Sequence, residues 1–255
     1  MQTEGGLDAA LAGDVSQLDA SPAGDAGPVC PDGSIDPDLL AWYPFDEGAG
    51  NVVKDCSPSG YHGTAIGAVA GLTRVAGKKG GAISLDGDTA CIDIGTAPTL
   101  AFTTTSFTVA SWIKPRRYSL PGGDSRWIFS RHGAKLGSTN DRGYHLGTDE
   151  PTGVELDLTV EPTGDSFESQ TGITPGDWVH VAGVFENPAI TVYVNGVRSS
   201  TRSGDAGGVT VTNDPAARGR IGCRAGLLKV YDGDLDDLRI YGRALSPSEI
   251  SDLAR

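Results

Sequence analysis

Several things are scarce or missing in this chain, and each absence narrows what it can be. The only Met is Met1, and 20 Lys+Arg stand against 33 Asp+Glu, a net charge of −13. A polyanion of this sign repels nucleic-acid phosphates and anionic lipid, which sets duplex binding and membrane-surface roles aside. No apolar run approaches the roughly 18 residues that a membrane span needs. There is no GxSxG, P-loop, HExxH or dinucleotide fingerprint. The four cysteines, Cys30, Cys56, Cys91 and Cys223, form no CxxC pair and have no His at zinc spacing, which argues against a structural zinc site. Met1 is followed by neither a charged n-region nor an apolar h-region, so no signal peptide is visible; either the start has been trimmed or export is absent.

The first 38 residues contain no Lys, no Arg and no aromatic residue, yet hold eight acidic ones. Loose repeats of Ala, Gly, Asp and Pro offer too little apolar surface to offset chain entropy, and self-repulsion extends them. Residues 1–38 therefore read as a disordered acidic spacer, the alternative being a weak helix over Gly6 to Leu18. Without the spacer's charge the remainder carries −5, an ordinary value for a soluble domain. The even number of cysteines suits two disulfides in an oxidising compartment, with all three connectivities open. Buried free thiols in a cytoplasmic protein are the competing reading.

What is abundant is turn chemistry: 37 Gly and 15 Pro without a collagen period favour a turn-rich β protein. From Leu39 onward, short apolar runs alternate with Gly, Pro, Asn and Asp clusters, the pattern of a sandwich or barrel. Strands are expected at Leu40 to Phe45, Ala82 to Leu85, Cys91 to Ile94, Phe107 to Ile113, Trp127 to Ser130, Tyr144 to Gly147, Val154 to Val160, Trp178 to Phe185, Ile190 to Val194 and Leu235 to Tyr241. The alternation in Val154-Glu155-Leu156-Asp157-Leu158 buries one face and opens the acidic one to solvent. Asn195-Gly196 signals a type I′ hairpin, because both central positions need positive φ. Ser246-Pro247-Ser248-Glu249 supplies a reciprocal capping box for a short C-terminal helix.

Segments spread over nearly all of residues 39 to 255 then resemble the laminin-G-like form of the concanavalin A-like lectin/glucanase superfamily. They include Trp42-Tyr43-Pro44-Phe45-Asp46-Glu47-Gly48, Asp55-Cys56-Ser57-Pro58-Ser59-Gly60, Gly80-Gly81-Ala82-Ile83-Ser84-Leu85-Asp86-Gly87, Trp178-Val179-His180-Val181-Ala182-Gly183 and Gly233-Asp234-Leu235-Asp236-Asp237-Leu238-Arg239-Ile240-Tyr241. The resemblance implies an all-β fold, a two-sheet antiparallel jelly-roll sandwich with a short C-terminal helix, spanning residues 39–255. That superfamily contains lectins, adhesion modules and hydrolases, so function has to come from sites.

Three candidate sites follow. The resemblance implies a structural Ca²⁺ on the convex side, held by Asp46 and Asp236 with the Gly87 carbonyl; hard oxygen ligands suit that ion. Period two would put Asp236 on one face with Leu238 and Ile240, where its carboxylate needs a cation or a donor. The competing reading has Asp46 capping a turn and Asp236 paired with Arg239 or Arg243. The acidic strand Glu155-Leu156-Asp157-Leu158-Thr159-Val160-Glu161 is similar to the acidic strand of the superfamily's β-glucan hydrolases. Glu155 and Glu161 would stand about 20 Å apart, too wide for either hydrolytic mechanism, whereas Asp157 with either Glu stays geometrically possible and keeps a β-glucan hydrolase as the third reading. A solvated strand face is the plainer reading. The third site is a ligand surface of Tyr118, Arg126, Trp127, Arg131, His132, Arg142, Tyr144 and His145, aromatic and hydrogen-bonding side chains of the kind that stack on and surround sugars. Core packing is expected for Trp42, Trp112 and Trp178, is equally compatible with Trp127 and Tyr144, and His180 reads as a structural strand residue. The whole points to an extracytoplasmic, secreted or surface-displayed binding module without catalysis. Its expected partner is a polysaccharide or glycoconjugate, or alternatively a surface protein.

Overall fold

The structure is a computed structural model that describes residue 30 and residues 36–119, 125–133, 143–149, 153–159, 165–169, 173–203 and 210–255. The expected spacer, apart from Cys30 and residues 36–38, lies outside the described residues, as do Arg142 and Glu161.

The chain forms β1 (Leu39–Tyr43), β2 (Val52–Val53), β3 (Gly63–Gly67), β4 (Leu72–Ala76), β5 (Gly81–Asp86), β6 (Ala90–Asp93), β7 (Phe107–Pro115) and β8 (Arg126–His132). It continues with β9 (Gly143–Asp149), β10 (Gly153–Leu158), β11 (Asp165–Ser169), β12 (Val179–Glu186), β13 (Ala189–Val194), β14 (Val197–Ser203), β15 (Arg218–Ile221) and β16 (Asp232–Tyr241) before helix α1 (Pro247–Leu253). They build two antiparallel sheets. The first runs β14-β13-β12-β7-β16-β5-β4, with β1 also on β16; the second runs β11-β10-β9-β8-β15-β6-β3-β2. This is the two-sheet jelly-roll sandwich implied by the resemblance.

The core lies between the sheets. Phe107, Val109, Val181, Phe185, Leu235, Leu238 and Ile240 of the first sheet meet Phe129, Tyr144, Leu146, Leu156, Ile92 and Ile221 of the second. Gly183 marks a close approach of the sheets: a Cβ there would stand 2.8 Å from the Leu156 side chain. In β7 the inward positions are Phe107, Val109, Ser111 and Ile113. Ser111 breaks the apolar run because its hydroxyl donates to the carbonyls of Asp236 and Trp112 beside a bulge in β16. Trp112, at an outward position, is buried from the other side of that sheet.

Several boundaries moved for physical reasons. Phe45 was expected to end the first strand, but its φ of 60° turns the chain after Tyr43. Trp178 was expected in a strand and in the core; it precedes β12 and is only half-buried. Asn195 (φ 49°) and Gly196 (φ 76°) make the expected tight turn between Val194 and Val197. Ser246 and Glu249 form the reciprocal capping box of α1, whose Ile250 packs with Leu39, Trp42 and Tyr241 on the outside of the first sheet. The cysteines pair Cys30 with Cys56 and Cys91 with Cys223, so none among them is a free thiol. No helix among the described residues is long and apolar enough to cross a membrane.

Leu156 is fully buried against Gly183, and its truncation leaves a void the facing glycine cannot fill. Leu156→Ala is expected to cost about 2–5 kcal/mol. Chemical denaturation that shows less than about 1 kcal/mol would place Leu156 outside the core.

Candidate functional site

The outer face of the second sheet is where polar side chains collect. Cross-strand pairing aligns Thr64, Asp93, Arg220, Ser130, His145 and Asp157 in one row over β3, β6, β15, β8, β9 and β10. At about 4.8 Å per strand the row is roughly 24 Å long. Core side chains Ile92, Ile221, Phe129, Leu146 and Leu156 occupy the opposite face, so period two fixes the row outward.

The two halves of this row differ. Toward β10, Trp127 stacks on His145 at 3.9 Å, and His145 bonds Glu155 at 2.8 Å while its other nitrogen lies 3.4 Å from His132. All four are buried, which corrects the expectation that the acidic face of β10 is open to solvent: Glu155 is covered where it partners His145. Trp127 is roofed by the segment after Cys223. The Arg224 guanidinium stands over its ring at 5.6 Å, and its backbone N–H donates to the Lys229 carbonyl. The disulfide Cys91–Cys223 holds that segment to β6. Burial pushes the Glu155 carboxyl up, but the His145 hydrogen bond and charge override it and hold its pKa below the ordinary value. Burial, with His145 and Arg224 adding to it, drives His132 well below the usual imidazole range. A carboxyl held ionised in this way is unsuited to serve as the general acid of a glycosidase. Toward β3 the face is open: Thr64 is exposed, and Arg218 and Arg220 both bind the Asp93 carboxylate.

The expected ligand surface is thus divided among several places. Trp127, His132 and His145 come together on the outer face. Their neighbours on the same strands point inward: Tyr144 lies among Phe102, Phe107 and Phe129, with its hydroxyl donating to the Leu100 carbonyl. Arg131 is buried and donates to Asn213 Oδ1. Arg126 is also buried; its guanidinium is taken up by the carbonyls of Ser119, Val230 and Gly87. Tyr118 is half-buried at the edge and donates to the Ile173 carbonyl. Asp93, Arg218 and Arg220 were missed. The alternation Arg218-Gly219-Arg220 opposite Cys91-Ile92-Asp93-Ile94 was the available signal, but more than a hundred residues separate the two strands.

On the first sheet, Asp46 and Asp236 do line one cavity of ≈ 240 Å³, with Trp42, Pro44, Lys79 and Asp237. Asp46 Oδ1 accepts from the Gly81 N–H at 2.6 Å, and Asp236 Oδ2 accepts from the Lys79 N–H at 2.8 Å. Asp236 Oδ1 is buried without a partner. Burial, with the nearby Asp237 and Asp46 charges, raises this carboxyl to about 7. Two expectations are corrected. Gly87 is at the far end of β5, beside Asp232, where its carbonyl accepts from Arg126, so six strand residues separate it from the cavity. Asp236 does not share a face with Leu238 and Ile240. The bulge between Asp236 and Arg239, with Asp237 at φ 48°, shifts the phase and turns Asp236 outward while those two enter the core. Arg239 pairs with Asp237, and Arg243 with Asp36, Asp38 and Glu249. The orphaned oxygen of Asp236 facing a second carboxylate is the chemistry of a cation site. Among the described residues no cluster of three His, Cys, Asp or Glu residues surrounds it.

A family model of the concanavalin A-like lectin/glucanases superfamily, of laminin-G type, matches residues 86–251, and the chain belongs to that family. Among curated proteins none matches in sequence. Among solved structures, domain 4 of AbnA, an extracellular arabinanase of family GH43 from Geobacillus stearothermophilus in complex with arabinotriose, is similar with a TM-score of 0.63 at 24% identity. The match covers 86% of this chain and 98% of that one. The CBM40 domain of the Ruminococcus gnavus IT-sialidase bound to α2,3-sialyllactose aligns with a TM-score of 0.56 at 15% identity, covering 68% and 96%. The binding domain of botulinum neurotoxin serotype G gives 0.59 at 14%, covering 85% of this chain and 50% of that one. At these identities the structural likeness shows a shared fold alone.

His180, on the outer side of the first sheet against Trp112, is held neutral: burial lowers its pKa to about 4, against the opposing charge of Asp237. Because the folded pKa lies below the unfolded one, its contribution is fully present above about pH 6.5 and is lost as pH falls toward 4. The expected loss is up to about 3 kcal/mol over that window. His180→Gln should flatten part of it in melting curves recorded from pH 7.5 to 4; an unchanged pH profile would show that His180 is not the group responsible.

Proposed function

We propose that this chain is a non-catalytic, extracytoplasmic binding module whose ligand is a carbohydrate carried across the outer face of the second sheet. The observation that carries the reading is the open end of the polar row, where Thr64 is exposed and Arg218 and Arg220 stand on Asp93 across β3, β6 and β15. Support comes from the similar folds whose names include arabinotriose and sialyllactose. Two disulfides support an oxidising compartment. The depressed pKa of Glu155 makes that one residue unsuited to the general acid's role.

Electrophoresis of the purified protein through gels containing a panel of polysaccharides, each then sized, tests this. Retardation without shortening is expected. Shortened polysaccharide would assign hydrolysis instead. A surface protein as partner is the second reading, favoured by one observation: Trp127, the aromatic ring in the middle of this face, is covered. Absence of retardation on every gel would bring that reading forward.

A structural Ca²⁺ between Asp46 and Asp236 completes the proposal. The orphaned Asp236 Oδ1 supports it, and the ion would neutralise two carboxylates that otherwise repel. Calcium at a hundred times its Kd should stabilise by about 2.7 kcal/mol. That is a rise in Tm of roughly 5 °C or more for a domain of this size. Chelator should reverse it, and Asp236→Asn should abolish the response. A wild-type Tm indifferent to both calcium and chelator would remove the ion.

A further inference from the structure

The open half of the second sheet carries a charge arrangement that narrows the ligand class, an inference that rests on the carbohydrate reading above. Asp93 takes Arg218 Nη2 on Oδ2 at 2.8 Å and Arg220 Nη1 on Oδ1 at 2.5 Å. Arg218 Nε also donates to that carboxylate, at 2.9 Å to Oδ2. One carboxylate thus orients two guanidinium groups, and among these three residues one positive charge is left over. Arg218 is half-exposed, with its Nε–Nη2 edge held by Asp93. Arg220 is largely covered, and its Nε is a buried donor with no partner. Thr64, directly across from Asp93 on β3, adds an exposed hydroxyl, and Ile66 and Leu227 flank the group beside the Cys91–Cys223 disulfide as a small apolar shelf.

The covering of Trp127 makes this arrangement decisive. A neutral sugar gains much of its affinity by stacking its apolar face on an aromatic ring, and the ring in the middle of this face is not accessible. What the open half offers in its place is a guanidinium pair held rigid by Asp93, the chemistry that recognises carboxylates through paired charge-assisted hydrogen bonds. We infer that Arg218 and Arg220 form a subsite for the carboxylate of an acidic sugar, a uronic or sialic acid residue, with Asp93 as the positioning residue.

The probes are oligogalacturonate and α2,3-sialyllactose, each set against its neutral partner, fully methyl-esterified oligogalacturonate and lactose. Affinity is measured by calorimetry on the full chain at low and at raised salt. At least one acidic probe should bind and weaken as salt rises, while its neutral partner binds at least about tenfold more weakly. Arg218→Ala should lower the affinity for the acid form by about tenfold. Arg218→Lys, which keeps the charge but loses the fork, should fall between. Because Arg218 is half-exposed, both variants should melt like the wild type. Equal binding of acidic and neutral partners, an unaltered affinity in Arg218→Ala, or retention of neutral polysaccharides alone would each overturn the subsite and leave carbohydrate binding standing. Failure to bind either acidic probe, together with no retardation by any polysaccharide of the gel panel, would overturn both readings.

Discussion

Strand β16 is the constraint on which the rest of the molecule depends. One edge of it pairs with β7 along nearly its whole length. The other edge is divided, Asp232–Leu235 going to β5 and Leu238–Tyr241 to β1. Two strands cannot meet on one edge without a gap, and the bulge between Asp236 and Arg239 lies at that gap. There the backbone carbonyl of Asp236 is satisfied by a buried serine hydroxyl instead of a ladder partner. The cavity with Asp46 and Asp236 is therefore a product of topology: it opens where β1 ends at Tyr43 and β5 begins at Gly81. Trp42 Nε1 and Arg239 both turn to Asp237, so the bulge also fixes the aromatic wall of the cavity. The same strand ends beside the entry to β1 and the C-terminal helix. Arg243, just past it, is shared by Asp36 before β1 and Glu249 in α1, while Cys30–Cys56 and Asp55, which accepts from the Trp42 N–H, hold the entry to β1.

The architecture was legible because its signals are local. Alternation in Val154 to Leu158, positive-φ chemistry at Asn195-Gly196 and the capping box at Ser246 each operate within a few residues, and each appears where it was read, except that the acidic face of the first is covered at Glu155. The phase of a strand is a local signal only until a bulge interrupts it. Asp236, Leu238 and Ile240 have the spacing of one face, yet one extra residue at Asp237 reverses the first against the other two. Trp178 shows the opposite failure: an aromatic at a strand boundary reads as core, but the chain has not yet entered the sheet.

The candidate site was only partly legible, for the same physical reason. A cluster of Arg, His, Trp and Tyr on β8 and β9 reads as one surface in the linear sequence, whereas period two sends alternate members through the sheet. His132 and Arg131 are neighbours in the chain and lie on opposite sides of the second sheet. Once inside, Arg126 and Arg131 must satisfy their guanidinium groups with backbone carbonyls or an amide, which removes them from recognition. The residues left on the open face come from β6 and β15, whose pairing is set by the sandwich topology and has no short-range signature.

Charge distribution ties the two faces together. The chain carries −13 overall, so an acidic ligand approaches against the mean field of the protein. Screening confines that repulsion to about 8 Å at physiological ionic strength. Within that radius the outcome depends on local groups, and on the open part of the second sheet those include Arg218 and Arg220 with the Asp93 carboxylate between them. The fully exposed fraction of this charge belongs to Arg218. Arg220 is shielded by the strand pair around it, and its contribution is direction more than long-range attraction. A weakly attracting but sterically defined pair of this kind discriminates by geometry. It favours a planar carboxylate fixed on a ring over a diffuse polyanion, which approaches against the net charge of the chain.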